Sequence, residues 1–168
     1  MKTLYILRHA KSSWNYPGLP DDQRPLLEKG IKRTAKVALY MSNHSLKPDI
    51  IISSTAVRAA ETARLIAAGI QFPQNEIQYS HSLYLCDPDK IFDQLFPLDD
   101  KFKSAMIVGH NPTLTNFVNQ FLSKPLEWLP TSGLAIIEFK TDRWTELASC
   151  QTGKSVVFSP KELQFHHP

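Results

Sequence analysis

Short apolar runs alternate along the chain with stretches that suit helices. Three runs stand out, Leu4–Leu7, Ile50–Ile52 and Ala105–Val108, each bounded by polar or small residues. Continuous apolar runs of this length are typical of parallel strands buried on both faces. The pattern therefore predicts an α/β fold, a three-layer α/β/α sandwich in which helices cover both faces of a mainly parallel sheet.

Four helices are predicted after these strands. Their approximate ranges are Leu27–Met41, Ala56–Ala68 with Thr55 as cap and Gly69 as stop, Pro88–Phe96 with Asp87 as cap, and a helix opened by Asn111-Pro112 that ends near Leu122. Two later segments of strand composition, Leu134–Phe139 and Glu146–Cys150, are expected to extend the sheet.

The first helix has two distinct faces in this scheme. The residues expected to be buried are Leu27, Ile31, Ala35 and Ala38. Those expected to be solvated are Lys29, Lys32, Arg33 and Lys36, although these residues could also help to attract an acidic partner. Gly30 is expected to cost the helix about 1 kcal/mol relative to alanine.

Length and composition indicate one globular domain spanning residues 1–168. The chain is 42% hydrophobic and 21% charged, and it shows no internal repeat or linker. Cys86 and Cys150 lie far apart and form no metal-binding motif, so neither a disulfide framework nor a metal site is predicted. No signal peptide or long apolar segment is visible, which favours a soluble cytoplasmic protein that does not contact a membrane.

The charge is unevenly distributed. The net charge of +3 is too small for a strong nucleic-acid binder, and no nucleic-acid partner is predicted. Residues 1–64 nevertheless contain eleven Lys/Arg against five Asp/Glu. This excess favours an anionic ligand near the first third of the chain.

Polar and cationic residues follow each of the three strands. The first runs into Arg8 and His9, the second is followed by Arg58 in the next helix, and the third ends before His110. The carboxyl ends of parallel strands meet at one edge of a sheet, where ligands bind. Guanidinium groups fit phosphate oxygens and a histidine can act as a nucleophile, so phosphoryl chemistry is indicated.

Three segments resemble the sequence pattern of the histidine phosphatase superfamily. The first is Arg8-His9-Ala10-Lys11-Ser12-Ser13-Trp14-Asn15, against Arg-His-Gly-Glu-Thr-x-Trp-Asn in the family. The second is Ser53-Ser54-Thr55-Ala56-Val57-Arg58-Ala59-Ala60-Glu61-Thr62, and the third is Val108-Gly109-His110-Asn111-Pro112. Arg24-Pro25-Leu26 with Gly30 matches the stretch after the first loop. The short chain most resembles phosphohistidine phosphatases of the SixA type.

The resemblance implies a phosphoglycerate mutase-like fold and a role for each matched residue. His9 would be the nucleophile that carries a covalent phosphoryl group, and Arg8, Arg58 and His110 would hold the phosphate. Ser12 and Asn15 are candidate substrate-binding residues. No metal and no cofactor are expected.

The substrate remains open among three alternatives. Family members that act on sugar or carboxylic acid phosphates carry a glutamate between the second and third elements, whereas residues 83–89 here have none. Asp87 or Asp89 could replace it as a general acid. The favoured substrate is a phosphohistidine-bearing signalling protein; the alternatives are a small phosphate ester and a non-catalytic module that binds phosphorylated ligands. The protein is expected to act as a monomer or a weak dimer.

Overall fold

A computed structural model describes residues 1–165 of the chain. The strands are β1 (Lys2–Arg8), β2 (Ile50–Ser54), β3 (Gln78–Ser80), β4 (Ser104–Gly109), β5 (Leu134–Phe139) and β6 (Thr152–Phe158). The helices are α1 (Glu28–Asn43), α2 (Val57–Gly69), α3 (Asp89–Leu95) and α4 (Thr113–Asn119), and short 3-10 turns connect several elements. Within these residues, no helix has the length and apolar character needed to cross a membrane.

One six-stranded sheet forms the middle of the molecule, with the order β3-β2-β4-β1-β5-β6. β1 pairs in parallel with β4, and β2 pairs in parallel with both β4 and β3. β5 is antiparallel to both of its neighbours. Of the described strands, only β5 therefore runs against the others, and the predicted mainly parallel sheet is confirmed.

Each face of the sheet packs against its own pair of helices. Along β1, Leu4 and Ile6 belong to the core that contains α3 and α4, whereas Tyr5 and Leu7 belong to the core that contains α1 and α2. Successive strand residues point to opposite faces, so a run that is apolar throughout fills both cores. The three-layer α/β/α sandwich is confirmed, as is the burial of all three apolar runs.

The buried face of α1 differs from the predicted one. Ile31 and Ala35 are exposed, and the residues that face the protein are Gly30, Thr34, Val37, Ala38 and Met41. The reason is a close contact: the backbone of Lys11 passes so near Gly30 that a Cβ there would lie 2.5 Å from the Lys11 carbonyl oxygen. Gly30 allows this approach, and the helix turns its small residues towards the loop after β1.

At the sheet edges one predicted strand is wrong and one observed strand was not predicted. Residues 146–150 form turns rather than a strand, because a 3-10 turn at Trp144–Glu146 buries Trp144 completely. The last strand, β6, begins two residues later and is only half-buried, so its apolar pattern is weak. The edge strand β3 was missed because it is three residues long and largely polar.

Two predicted helix caps do not form. The helix α2 begins at Val57 with Ala56 as the capping residue, and the Thr55 hydroxyl instead lies 3.1 Å from Nδ1 of His81. The helix α3 begins at Asp89 with Pro88 as the capping residue and has no side-chain cap. Asp87 contributes its backbone carbonyl, which accepts the N–H of Lys90 at 3.0 Å.

Candidate active site

The three polar strand ends meet in one cleft at the carboxyl edge of the sheet. Arg8, the last residue of β1, lies opposite Gly109 at the end of β4, and β2 ends on the other side of β4. The cleft has a volume of about 440 Å³. The charged and imidazole side chains in its lining are Arg8, His9, Lys11, Arg24, Arg33, Arg58 and His110.

A hydrogen bond fixes the tautomer of His9. Its Nδ1 lies 2.7 Å from the backbone carbonyl of Ala10, and a carbonyl can only accept, so Nδ1 carries the proton. In the neutral ring Nε2 then has a free lone pair. The Ala10 N–H donates to the Thr62 hydroxyl at 2.9 Å, and that hydroxyl donates to the carbonyl of Arg58. The strand end that carries His9 is thereby tied to α2.

Both histidines of the cleft are buried and neutral near pH 7. Burial lowers the pKa of His9 to about 4; the hydrogen bond to Ala10 opposes this shift, and the charges of Arg58 and Arg8 add to it. Burial, the neighbouring His9 and the charge of Arg58 lower the pKa of His110 to about 3. A proton on His110 would therefore have to be stabilised by negative charge that arrives with a substrate.

His110 packs against His9 and is held by β2. The two ring centroids are 5.2 Å apart, and Nε2 of His110 lies 2.8 Å from the hydroxyl of Ser54 at the end of β2. Asn111 supports the turn that follows. Its side-chain amide donates to the Leu129 carbonyl at 2.7 Å, and its side-chain oxygen accepts the N–H of Thr115 in α4.

Asp21, in the loop after β1, holds two arginines of the cleft. Nη1 and Nη2 of Arg58 donate to its backbone carbonyl at 2.8 Å and its carboxylate at 3.0 Å, and Nε of Arg24 donates to the same carboxylate at 3.0 Å. The Tyr84 hydroxyl donates at 2.5 Å. Burial alone would raise the pKa of Asp21, but the hydrogen bonds from Tyr84, Arg58 and Arg24 lower it to about 2.

The two predicted substrate-binding residues lie in different places. Ser12 is buried in the cleft lining, where its hydroxyl accepts a hydrogen bond from Nη1 of Arg24 at 2.7 Å. Asn15 is exposed and is not part of the lining, although its backbone N–H bonds the Ser13 hydroxyl. Asp87 and Asp89 also lie outside the lining, to which their segment contributes Leu85.

Three buried side-chain nitrogens around the cleft have no hydrogen-bond partner. Among the described residues, the buried side-chain nitrogens and oxygens without a partner are Nε of Arg8, Nε of Arg58 and Nδ1 of His110. Other atoms of the same side chains are held: Nη1 of Arg8 donates to the Leu129 carbonyl at 3.0 Å. Unsatisfied polar atoms are costly in a folded protein, so their concentration at one place indicates a ligand site.

The chemistry of the lining suits a tetrahedral oxyanion. Five cations line the cleft without any Asp or Glu among the lining residues. Guanidinium groups pair well with phosphate oxygens, and a neutral imidazole with a free lone pair can attack phosphorus. In the part of the chain that the structure describes, no three His, Cys, Asp or Glu side chains come together as a metal site would require.

Sequence reasoning missed five contributors to this arrangement. Arg24 belongs to the recognised Arg-Pro-Leu stretch, and that match was the available signal for it. Asp21 and Tyr84 have no such signal, because a hydrogen bond across 63 positions is not visible in a single sequence. Lys11 and Arg33 were assigned no place in the cleft, and both line it.

The fold and the cleft together suit a phosphoryl-transfer protein, and comparison with known proteins identifies the family. The profile of the histidine phosphatase superfamily (branch 1) matches residues 4–83. An uncharacterized chloroplastic protein of Arabidopsis thaliana is 37% identical over 153 residues, which cover 86% of this chain and 70% of the relative.

Two solved structures extend the similarity. A structure provisionally described as phosphohistidine phosphatase SixA from Agrobacterium tumefaciens is 29% identical, with a TM-score of 0.73 over 83% of this chain and 92% of the other. The protein histidine phosphatase SixA complexed with tungstate shares the fold, with a TM-score of 0.81 at 18% identity over 96% of this chain and 99% of the other. The chain belongs to the histidine phosphatase superfamily and has a SixA-like fold, which supports phosphatase activity.

Proposed function

We propose that the protein hydrolyses phosphohistidine in proteins through a covalent phosphoryl group on His9. The observation that carries the proposal is the state of His9 itself. Its Nδ1 proton is engaged by the Ala10 carbonyl, its lowered pKa of about 4 keeps the ring neutral, and it lies in a cleft lined by cations. A neutral imidazole held in this way presents Nε2 as a nucleophile at physiological pH.

The first chemical step transfers the phosphoryl group to the enzyme. Nε2 of His9 attacks phosphorus, an N–P bond forms, and the bond from phosphorus to the substrate's leaving nitrogen breaks. In the transition state, Arg8, Arg58 and His110 stabilise the negative charge on the three equatorial oxygens. His110 takes up a proton from solvent as the phosphoryl group binds, because the anion offsets the burial that lowers its pKa.

The second step regenerates the enzyme. Water attacks the phosphorus of phosphorylated His9, the P–N bond breaks, and inorganic phosphate leaves with His9 neutral again. The cleft would need no metal ion for either step, since its guanidinium groups supply the positive charge that phosphoryl transfer requires. Activity is therefore expected to persist in the presence of a strong chelator.

The cleft lining favours a labile phosphoramidate over a phosphate ester. Expelling an alkoxide benefits from a general acid, and none of the lining residues is Asp or Glu. Asp21 is close, but its carboxylate is ionised and already accepts hydrogen bonds from two arginines. An imidazole leaving group accepts a proton from solvent before it departs, so it needs no such residue.

Trapping of the phosphoenzyme tests the proposal. The protein is mixed with a radiolabelled phosphohistidine peptide and quenched in alkali, where phosphohistidine survives and phosphoserine does not. We expect one labelled residue, at His9, and no label in the His9→Ala variant. His44→Ala is the matched control, because His44 is an exposed histidine that packs on Tyr40 at the end of α1.

The outcomes separate the alternatives. Higher kcat/KM for sugar phosphates or phosphoserine peptides than for phosphohistidine peptides would assign the site to esters. Binding of phosphorylated ligands without turnover, even of a chromogenic aryl phosphate, would indicate a non-catalytic module. Full activity in His9→Ala would refute the covalent mechanism.

A further inference from the structure

Three cations in or beside the lining of the cleft have no role in the chemistry described above. Lys11 lies in the loop after β1, and Lys29 and Arg33 lie on the first two turns of α1. We call these three side chains the basic rim. Lys11 and Arg33 line the cleft, and the Lys29 ammonium is close enough to that of Lys11 for the two charges to interact.

The basic rim is not neutralised by the protein. Among the described residues, none of its three side chains forms an ion pair, whereas the neighbouring Lys32 pairs with Glu28 at 3.5 Å. The neighbouring ammonium of Lys11 and the charge of Arg33 lower the pKa of Lys29. Like charges held together without a counter-charge are unfavourable, so an external anion would relieve them.

The rim is built into the fold by backbone contacts. The Lys11 carbonyl accepts the N–H of Leu27 at 2.9 Å, and the Lys11 backbone lies against Gly30. These contacts fix the start of α1 beside the loop that carries Lys11, two residues after His9. The backbone positions of the three residues relative to His9 are therefore fixed by these contacts.

Large apolar side chains are also exposed around the same cleft. Trp14 is 78% exposed with its ring 3.6 Å from the Arg24 guanidinium, and Trp128 is 52% exposed beside Arg8. Leu85, which lines the cleft, is 69% exposed. Exposed aromatic and aliphatic groups beside a charged site are typical of surfaces that contact another protein.

We propose that the basic rim binds acidic side chains that flank the phosphorylated histidine of a protein substrate. The inference rests on the proposed phosphohistidine phosphatase activity and adds what the enzyme recognises outside the phosphoryl group. An acidic polypeptide fits better than a nucleic acid, because the rim has only three charges rather than a long basic stripe, and the whole chain carries only +3.

The test compares three phosphohistidine peptides that differ only in their flanks, which are Glu/Asp, Gln/Asn or Lys. An exposed charge pair changes binding by roughly 1.5- to 5-fold, so two or three pairs predict a preference in kcat/KM for acidic over neutral flanks of roughly tenfold at low salt. The ratio of kcat/KM for acidic flanks to kcat/KM for neutral flanks should fall towards one at high salt, because the Debye length falls to about 3 Å at 1 M.

The variant Lys29→Glu/Arg33→Glu should lose the preference for acidic flanks. Lys140→Glu is the control for charge reversal, because Lys140 is exposed at the opposite edge of the sheet, next to the end of β5 that pairs with Lys2. It should keep the preference of the unchanged protein. The readout is the ratio of kcat/KM values for the acidic and neutral peptides. A variant that loses activity on all peptides alike keeps this ratio, so a general loss of activity cannot be mistaken for the expected result.

Four results would overturn the inference. Equal kcat/KM for acidic and neutral flanks in the unchanged protein would refute the rim's role while leaving the proposed activity intact. An undiminished preference in the double variant would place the recognition elsewhere. Stronger inhibition by a single-stranded oligonucleotide than by the acidic peptide would assign the rim to nucleic acid. If none of the peptides were hydrolysed, the proposed activity would fail and this inference with it.

Discussion

Replacement of Gly30 by alanine distinguishes helix propensity from tertiary packing. Propensity alone predicts that Gly30→Ala stabilises α1 by about 1 kcal/mol. The structure predicts the opposite, because the new Cβ would lie 2.5 Å from the carbonyl oxygen and 2.9 Å from the nitrogen of Lys11. Both atoms belong to the backbone, so neither can rotate away.

The size of the effect follows from these distances. An ordinary carbon–oxygen contact is about 3.3 Å or more, so α1 and the loop must separate by roughly 0.8 Å. Overpacking of this kind costs about 1–3 kcal/mol, against a gain in helix propensity of about 1 kcal/mol. We expect a net loss of up to about 2 kcal/mol and, for a chain of this length, a Tm lower by up to roughly 8 °C.

Activity should fall together with stability. Lys11 follows His9 by two residues, and a misplacement of about 1 Å at a catalytic group can lower the rate roughly 100-fold. The assays are thermal and urea denaturation and kcat/KM for an aryl phosphate. Ser42→Ala is the control, since it raises propensity at an exposed position of the same helix. If Gly30→Ala raised Tm as the control should, the close contact would not govern this position.

Three further substitutions or titrations probe other parts of the structure. Gly69→Ala would place a Cβ against that of Ala38 and should destabilise the protein by about 1–3 kcal/mol. The double variant Gly69→Ala/Ala38→Gly should recover part of this loss. If the free energies of unfolding lost in the two single variants simply added in the double variant, the contact would be contradicted. An NMR titration of His9 should show a midpoint near 4, and one near 6.5 would contradict its burial. Asp21 has a folded-state pKa of about 2, below its ordinary 3.8, so it stabilises the protein above pH 4 and less as the pH falls towards 2. Asp21→Asn should therefore lower Tm at pH 7, and the difference in Tm between the variant and the unchanged protein should become smaller between pH 4 and pH 2. A Tm difference that stayed constant over this range would refute a contribution of the ionised carboxylate to stability.

The strand ends could be predicted from the sequence because the signals for them are local. Leu4–Leu7 is buried on both faces, so its apolar run is continuous and its end at Arg8 is visible without a structure. The runs Ile50–Ile52 and Ala105–Val108 are also buried throughout, so their ends before Ser53 and Gly109 are equally visible in the sequence. Once the class of sheet was known, the convergence of Arg8, His9, Arg58 and His110 followed from topology.

The supporting interactions could not be predicted because they depend on distant partners. Asp21 is one of two adjacent aspartates in a polar loop, and nothing local distinguishes it from an ordinary solvated residue. Its role arises where the loop meets Arg58 from α2 and Tyr84 from another connection. The buried face of α1 was mispredicted for the same reason, because a backbone contact with Lys11 outweighed the apolar periodicity that includes Ile31.

The position of Lys11 links the departure from the family pattern to substrate choice. The pattern has glutamate where this chain has Lys11, and the structure places Lys11 as an exposed residue in the lining of the cleft. A change of charge there alters what is attracted to the cleft while the groups that would hold the phosphoryl oxygens stay in place. Lys11→Glu, which restores the family's residue, should therefore affect the preference among peptide flanks more than turnover of an aryl phosphate that has no flanks.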